Sequence, residues 1–337
     1  MGNSGGMDQV PMTHVRRAGI KHRACCASPW FIAFWLVTMA AAAQVRNPSP
    51  DAGKSESARL DEAKALVREG RIHDAEPVVR EYLRSGKGNE EAHGLLGLIL
   101  YQESKPADSL AEFTLAAQFA TPTPAELTVV ALDYVLLKDL ASADKWMTVS
   151  VARDPENPGG LRYLGGIKYS ENRFAEAIQT YNRYLALRPR DVLVEDAIGR
   201  SLEGLARDDD AASAYRQAMD WQANAPKRHH EPLLHLGALL LRKGKAQEAL
   251  PLLADAETIA PSDGDVHEEL GVLWTQTGEL EKAQSELEKA LSISPGNSHL
   301  HWLLASVYRR EGQIEKANRE IKEYSALLGS HSSDKMQ

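Results

Sequence analysis

The chain has 337 residues, 26% of them charged and 6% aromatic, with two cysteines and a formal net charge of −8. An acidic balance excludes a protein that holds nucleic acid through general charge. The cysteines, Cys25 and Cys26, are adjacent and near one end, which excludes a disulfide framework and any C-x-x-C motif.

Arg16, Arg17, Lys21 and Arg23 precede an uncharged run from Ala24 to Val45, whose apolar centre is Trp30 to Val37 and which closes on Ala40-Ala41-Ala42-Ala43. Basic, apolar and small-residue regions in that order predict an export signal over 1–43, cleaved after Ala43. The 22 uncharged residues also suffice to span a bilayer, so an uncleaved signal anchor is the alternative. Both readings place the rest outside the cytoplasm, periplasmic or secreted in the first case and membrane-anchored in the second. Cleavage removes both cysteines and moves the formal charge from −8 to −11. Residues 44–55, with Pro48, Pro50 and Gly53, read as a flexible leader.

From residue 56 the pattern is periodic. Gly97, Ala131, Gly165 and Gly199 lie 34 residues apart, and after a four-residue slip Gly237, Gly271 and Ala305 resume the same step. A period of this length marks a solenoid of similar units. With the small residue as position 8, position 20 is alanine or serine (Ala75, Ser109, Ala143, Ala177, Ala211, Ala249, Ala283, Ala317) and position 24 is bulky (Val79, Phe113, Met147, Tyr181, Tyr215, Leu253, Leu287, Ile321). Positions 4, 7, 8 and 11 share one helix face, and 20, 24 and 27 share another. Between them lie polar turns such as Glu69-Gly70-Arg71, Glu171-Asn172-Arg173 and Lys243-Gly244-Lys245, where Gly or Asn can take positive φ. Pro155, Pro189, Pro261 and Pro295 at position 32 cannot continue the second helix. Eight units begin near Glu56, Glu90, Pro124, Pro158, Val192, His230, Gly264 and Ser298 and cover 56–331, with an insert at 223–230 and a disordered tail at 332–337.

Leu270-Gly271, Trp274, Ala283, Leu287, Ala290 and Pro295, and likewise Leu236-Gly237, Ala249, Leu253, Ala256 and Pro261, resemble the tetratricopeptide repeat family. The resemblance implies an all-α, right-handed superhelical solenoid of about eight antiparallel helix pairs. It also implies a concave groove lined by the first helix of each unit through positions 2, 5, 9, 12 and 13. Carried over, these positions give Leu98, Tyr101, Leu132, Val135 and Leu136, then Arg162 and Tyr169, then Asp196, Arg200 and Glu203. Leu234, Leu241 and Arg242 follow, and Trp302, Arg309 and Arg310 end the series. The expected groove is apolar toward its N-terminal half and partly basic toward its C-terminal end. The paired Lys and Asn with which family members clamp chaperone C-termini are missing: those positions read Leu60/Lys64, Gly94/Leu98, Thr128/Leu132 and Arg162/Gly166.

Covalent chemistry finds no foothold. His230 and His235 do not share a helix face, so with His229 they make no metal cluster. His93, His267 and His301 all fall on position 4 and read as packing residues. Asp208-Asp209-Asp210 reads as a helix cap, since no calcium-loop spacing follows. Gly159-Gly160 and Gly165-Gly166 read as helix-packing and turn residues. The sequence therefore predicts a non-catalytic scaffold that binds a peptide segment of another protein, with no cofactor and no nucleic acid, and with a membrane only through the signal anchor. The alternative is an accessory subunit of an envelope assembly, secretion or polysaccharide-export complex, acting through the convex surface.

Overall fold

A computed structural model describes residues 56–86 and 88–333. The predicted signal, its leader and residues 334–337 lie outside the described residues. Within them, sixteen α-helices and no strand form eight successive pairs. These are α1 (Glu56–Arg68) with α2 (Ile72–Arg84), α3 (Glu90–Gln102) with α4 (Pro106–Ala116), α5 (Pro124–Leu136) with α6 (Leu140–Arg153) and α7 (Pro158–Ser170) with α8 (Phe174–Leu187). Then come α9 (Val192–Gly204) with α10 (Asp208–Trp221), α11 (Glu231–Arg242) with α12 (Ala246–Ile259), α13 (Gly264–Thr277) with α14 (Leu280–Ile293) and α15 (Ser298–Arg310) with α16 (Ile314–Ser333). The last helix runs to Ser333, two residues past the 331 at which the sequence reading ends the solenoid. No helix among the described residues is long and apolar enough to cross a membrane.

Six of the eight first helices start where a short polar side chain satisfies free N–H groups, whereas α11 starts after His230 with no side-chain cap. Asn89, Thr123, Asn157, Asp191, Asp263 and Asn297 all accept from backbone N–H groups of the following turn. Thr123 and Glu126 cap each other reciprocally. Such a cap contributes about 1 kcal/mol. Asp208, Asp209 and Asp210 are not caps: they fill the first turn of α10 after Arg207, where acids complement the helix dipole.

The turn between paired helices is the same in all eight units. Position 15 has positive φ at Gly70, Ser104, Lys138, Asn172, Ala206, Gly244, Gly278 and Gly312. The next residue's N–H then reaches back to the carbonyl five residues earlier, as from Arg71 to Leu66 (2.9 Å) and from Gln313 to Tyr308 (2.8 Å). This hydrogen bonding closes the helix end. Ser104, Lys138 and Ala206 take the left-handed conformation without glycine's freedom, at roughly 1–2 kcal/mol each. Exposed Ala206 has no side-chain compensation, so Ala206→Gly is expected to raise stability by about 0.5–1 kcal/mol, read as a higher urea midpoint.

The core forms where each pair crosses. Phe113, Tyr181, Tyr215, Leu253 and Leu287 lie over Gly97, Gly165, Gly199, Gly237 and Gly271, so closely that an added Cβ would fall 2.4–2.9 Å from them. Where position 8 is Ala63, Ala131 or Ala305, position 24 is Val79, Met147 or Ile321. Aromatic and γ-branched side chains thus occur only over glycine. Successive first helices also touch directly (α1 with α3, α3 with α5, α9 with α11, α11 with α13, α13 with α15), while no two second helices make comparable contact. The first helices therefore form the tighter, inner layer of the stack.

Candidate functional site

The inner face divides into three stretches. In the first, Leu98, Tyr101 and Val135 are half-buried and Leu136 is 47% exposed. Burial, with Tyr163 and Asp133 nearby, pushes the Tyr101 hydroxyl up to about 12, so it stays a neutral donor. This is an apolar surface with one hydroxyl in it. Arg162 borders it, half-buried.

The middle stretch departs from expectation. Tyr169 and Leu241 were expected in the groove but belong to the core, with 7% and 2% exposure. Tyr169 packs edge-on against Phe174 (5.5 Å between ring centres), and the Arg200 guanidinium lies over its ring at 5.3 Å. Arg200 and Arg242 do not form an open basic patch either. Arg200 donates to Asp196 (3.1 Å), which also meets His235 Nδ1 at 2.7 Å. Burial pushes the Asp196 carboxyl up, but His235 and Arg200 more than offset this and hold it below its ordinary value. Arg242 pairs with Glu203, which also accepts the Tyr215 hydroxyl at 2.5 Å. These charges satisfy one another across units and close the middle of the face. A list of positions cannot foresee this, because each residue's exposure depends on the neighbouring unit.

In the last stretch Trp302 is 46% exposed, with the His299 ring stacked on it at 5.8 Å. His299 Nδ1 lies 2.7 Å from Glu268, a contact that raises its pKa. Neighbouring Glu269 is pushed up to about 7, first by desolvation and then by Glu268. Arg309 is exposed, and Arg310 donates to the Thr275 carbonyl (2.5 Å). The result is an aromatic platform with charge of both signs around it.

The insert is closed by one side chain. Buried Gln222 donates to the His229 carbonyl (2.8 Å) and accepts from the His229 N–H (2.6 Å), holding residues 223–228 as a loop. His230 meets Asp263 (3.1 Å) and His235 meets Asp196, so the histidines near the insert go to different acids. The four glycines at 159, 160, 165 and 166 all lie within α7, none in a turn.

Sequence reasoning missed a recurring pair. His93, His267 and His301 each place Nδ1 2.7 Å from a carboxylate nineteen residues on, at Glu112, Glu286 and Glu320. No unit without a position-4 histidine has glutamate at position 23, so the signal was present in the sequence.

A family model described as "Tetratricopeptide repeat" matches residues 60–123, 150–192 and 234–298, and a second of that description matches 275–328. No curated protein matches the chain. Among solved structures, a tetratricopeptide repeat protein from Parabacteroides merdae is 17% identical with a TM-score of 0.62, covering 76% of this chain and 99% of that one. The APC/C hetero-tetramer Cut9-Hcn1 gives 17% identity, a TM-score of 0.58 and 81% coverage, and this chain spans about half (53%) of that chain's length. The human IFIT1 dimer with m7Gppp-AAAA gives 15% identity and a TM-score of 0.51, covering 81% of this chain and 69% of that one. At such identities the likeness is one of fold.

Proposed function

This chain belongs to the tetratricopeptide repeat family, a family of protein-interaction scaffolds, and we propose that it holds a peptide segment of another protein along the inner face, without covalent chemistry. The observation that carries this reading is the pair of open stretches on that face: the apolar surface of Leu98, Tyr101, Val135 and Leu136, and the exposed Trp302 platform. Aromatic anchors of this kind concentrate binding energy. The stacked helices fix both stretches before binding, so the partner carries most of the ordering cost. The closed ion-pair network between them favours an extended segment that contacts the two ends. Export, by the signal read at the N-terminus, would place this encounter in the cell envelope or outside the cell.

The test is capture of partners from the source cell's extract by the purified protein and by a Tyr101→Ala, Val135→Ala, Trp302→Ala variant. Loss of captured protein, with an unchanged helical spectrum, is the expected result. Undiminished capture would move the interface to the outer helices. Tyr169→Ala does not belong in this test, since that buried ring reports on folding instead.

A further inference from the structure

Glu257 of α12, His267 of α13 and Glu286 of α14 bring one ligand atom each within 4.8 Å of one another. They come from three helices of two adjacent units. His267 is buried and Glu286 nearly so, while Glu257 opens to solvent. His267 has an oxygen within hydrogen-bonding distance of each ring nitrogen. Its Nε2 lies 3.0 Å from the Pro261 carbonyl, which can only accept, so Nε2 carries a proton and donates it. In the neutral ring Nδ1 is then a bare lone pair. It faces Glu286 Oε2, another acceptor when ionised, at 2.7 Å. Two acceptors this close need a shared proton or a bound cation between them. A ring that donates one N–H to a backbone carbonyl while aiming its other nitrogen at a carboxylate is also how metal-bound histidines are oriented.

The repeat supplies its own comparison. His93–Glu112 and His301–Glu320 reproduce the pair at the same 2.7 Å. The third group differs. Glu257 stands at position 28, where six other units carry Leu83, Ala117, Val151, Leu185, Met219 and Leu291 and the last carries Ser325. Beside His93 the preceding unit offers Leu83, and beside His301 it offers Leu291, so neither pair gains a third ligand. This position is acidic only where it completes a cluster. Lys289, half exposed, contacts this cluster at 2.8 Å from Glu286 Oε1 and 4.0 Å from Glu257.

We propose that Glu257, His267 and Glu286 form a binding site for one divalent transition-metal ion of the zinc type. One imidazole nitrogen and two carboxylates suit that class of ion, with water completing a tetrahedron. The ion would pin the sixth unit to the seventh, next to the insert.

The test is calorimetric titration of chelator-treated full-length protein with Zn2+, together with thermal unfolding with and without Zn2+. Expected are one ion per chain, a rise in melting temperature, and affinity weakened about tenfold or more in Glu257→Leu and Glu257→Gln. Leucine already occupies this position in three units, and Gln keeps the shape, so at least one variant retains the fold. His301→Leu should leave the affinity unchanged. Absence of binding at millimolar Zn2+ would overturn the proposal, as would undiminished affinity in both Glu257 variants.

Discussion

Gly271→Ala is expected to destabilise the stack by about 2 kcal/mol although alanine is the better helix former, and Leu287→Met in the same chain is expected to recover most of the loss. Two effects oppose each other. Replacing glycine inside a helix gains about 1 kcal/mol. The new Cβ, however, would lie 2.5 Å from Leu287 Cγ and 2.6 Å from its Cδ2. Cγ is not the free end of a side chain, and Leu287 is fully buried, so the two helices must separate or the leucine must leave its rotamer. Overpacking of this kind costs about 1–3 kcal/mol and occasionally more, and so close an approach belongs at the upper end. Methionine has no branch at Cγ, and Ala131 with Met147 shows the combination already built into this fold. The Leu→Met exchange alone costs less than about 1.5 kcal/mol. Urea unfolding of the two single variants and the double variant gives the coupling energy directly. Additive losses would sink the pairing of positions 8 and 24. Gly199→Ala should be worse than Gly271→Ala, because the rigid Tyr215 ring, 2.4 Å from the new Cβ, can only move as a whole.

That pairing was legible in the sequence, and so was much of the fold. Both columns stand out at a period of 34, and the glycines and Asn172 of the turns mark helix ends. Ser104, Lys138 and Ala206 hid the same turn, because the carbonyls of the closing helix impose positive φ on whatever residue arrives there. The inner face was less legible. Tyr169 and Arg200 read as two separate groove residues, yet they lie on each other, joined across the boundary between units. Exposure on a solenoid is a property of neighbours, and neighbours here lie 30 to 40 residues away, as the Arg242–Glu203 pair does.

Asp133→Ile is expected to raise stability at pH 8 by about 4 kcal/mol and to remove a loss of stability that the natural chain suffers between about pH 4 and pH 7. Asp133 is wholly buried at position 10, where five other units carry Ile99, Ile167, Leu239, Leu273 and Val307 and the remaining two carry Ala65 and Ser201. It meets Ser109, which breaks its own column of alanines. Ser109 Oγ lies 2.6 Å from Asp133 Oδ2 and 2.8 Å from the Gly97 carbonyl. One hydroxyl proton cannot serve both acceptors. If the carboxyl keeps its proton, Asp133 donates to Ser109 and Ser109 donates to Gly97, and the chain is complete. Burial pushes the Asp133 carboxyl up to about 7, only partly opposed by the Ser109 hydrogen bond. The folded pKa is thus above the unfolded one. Below about pH 4 both states are protonated and the contribution is fully present. As pH rises the unfolded chain releases the proton first, and by about pH 7 the folded state must either hold it against solvent or bury a charge whose Oδ1 has no partner. A shift of this size corresponds to about 4 kcal/mol at 1.36 kcal/mol per pKa unit. Asp133→Ile with Ser109→Ala restores the pattern of most other units and should melt higher than the natural chain at pH 8, with the difference shrinking toward pH 4. Equal differences at both pH values would mean that packing, not the proton, sets the cost of Asp133.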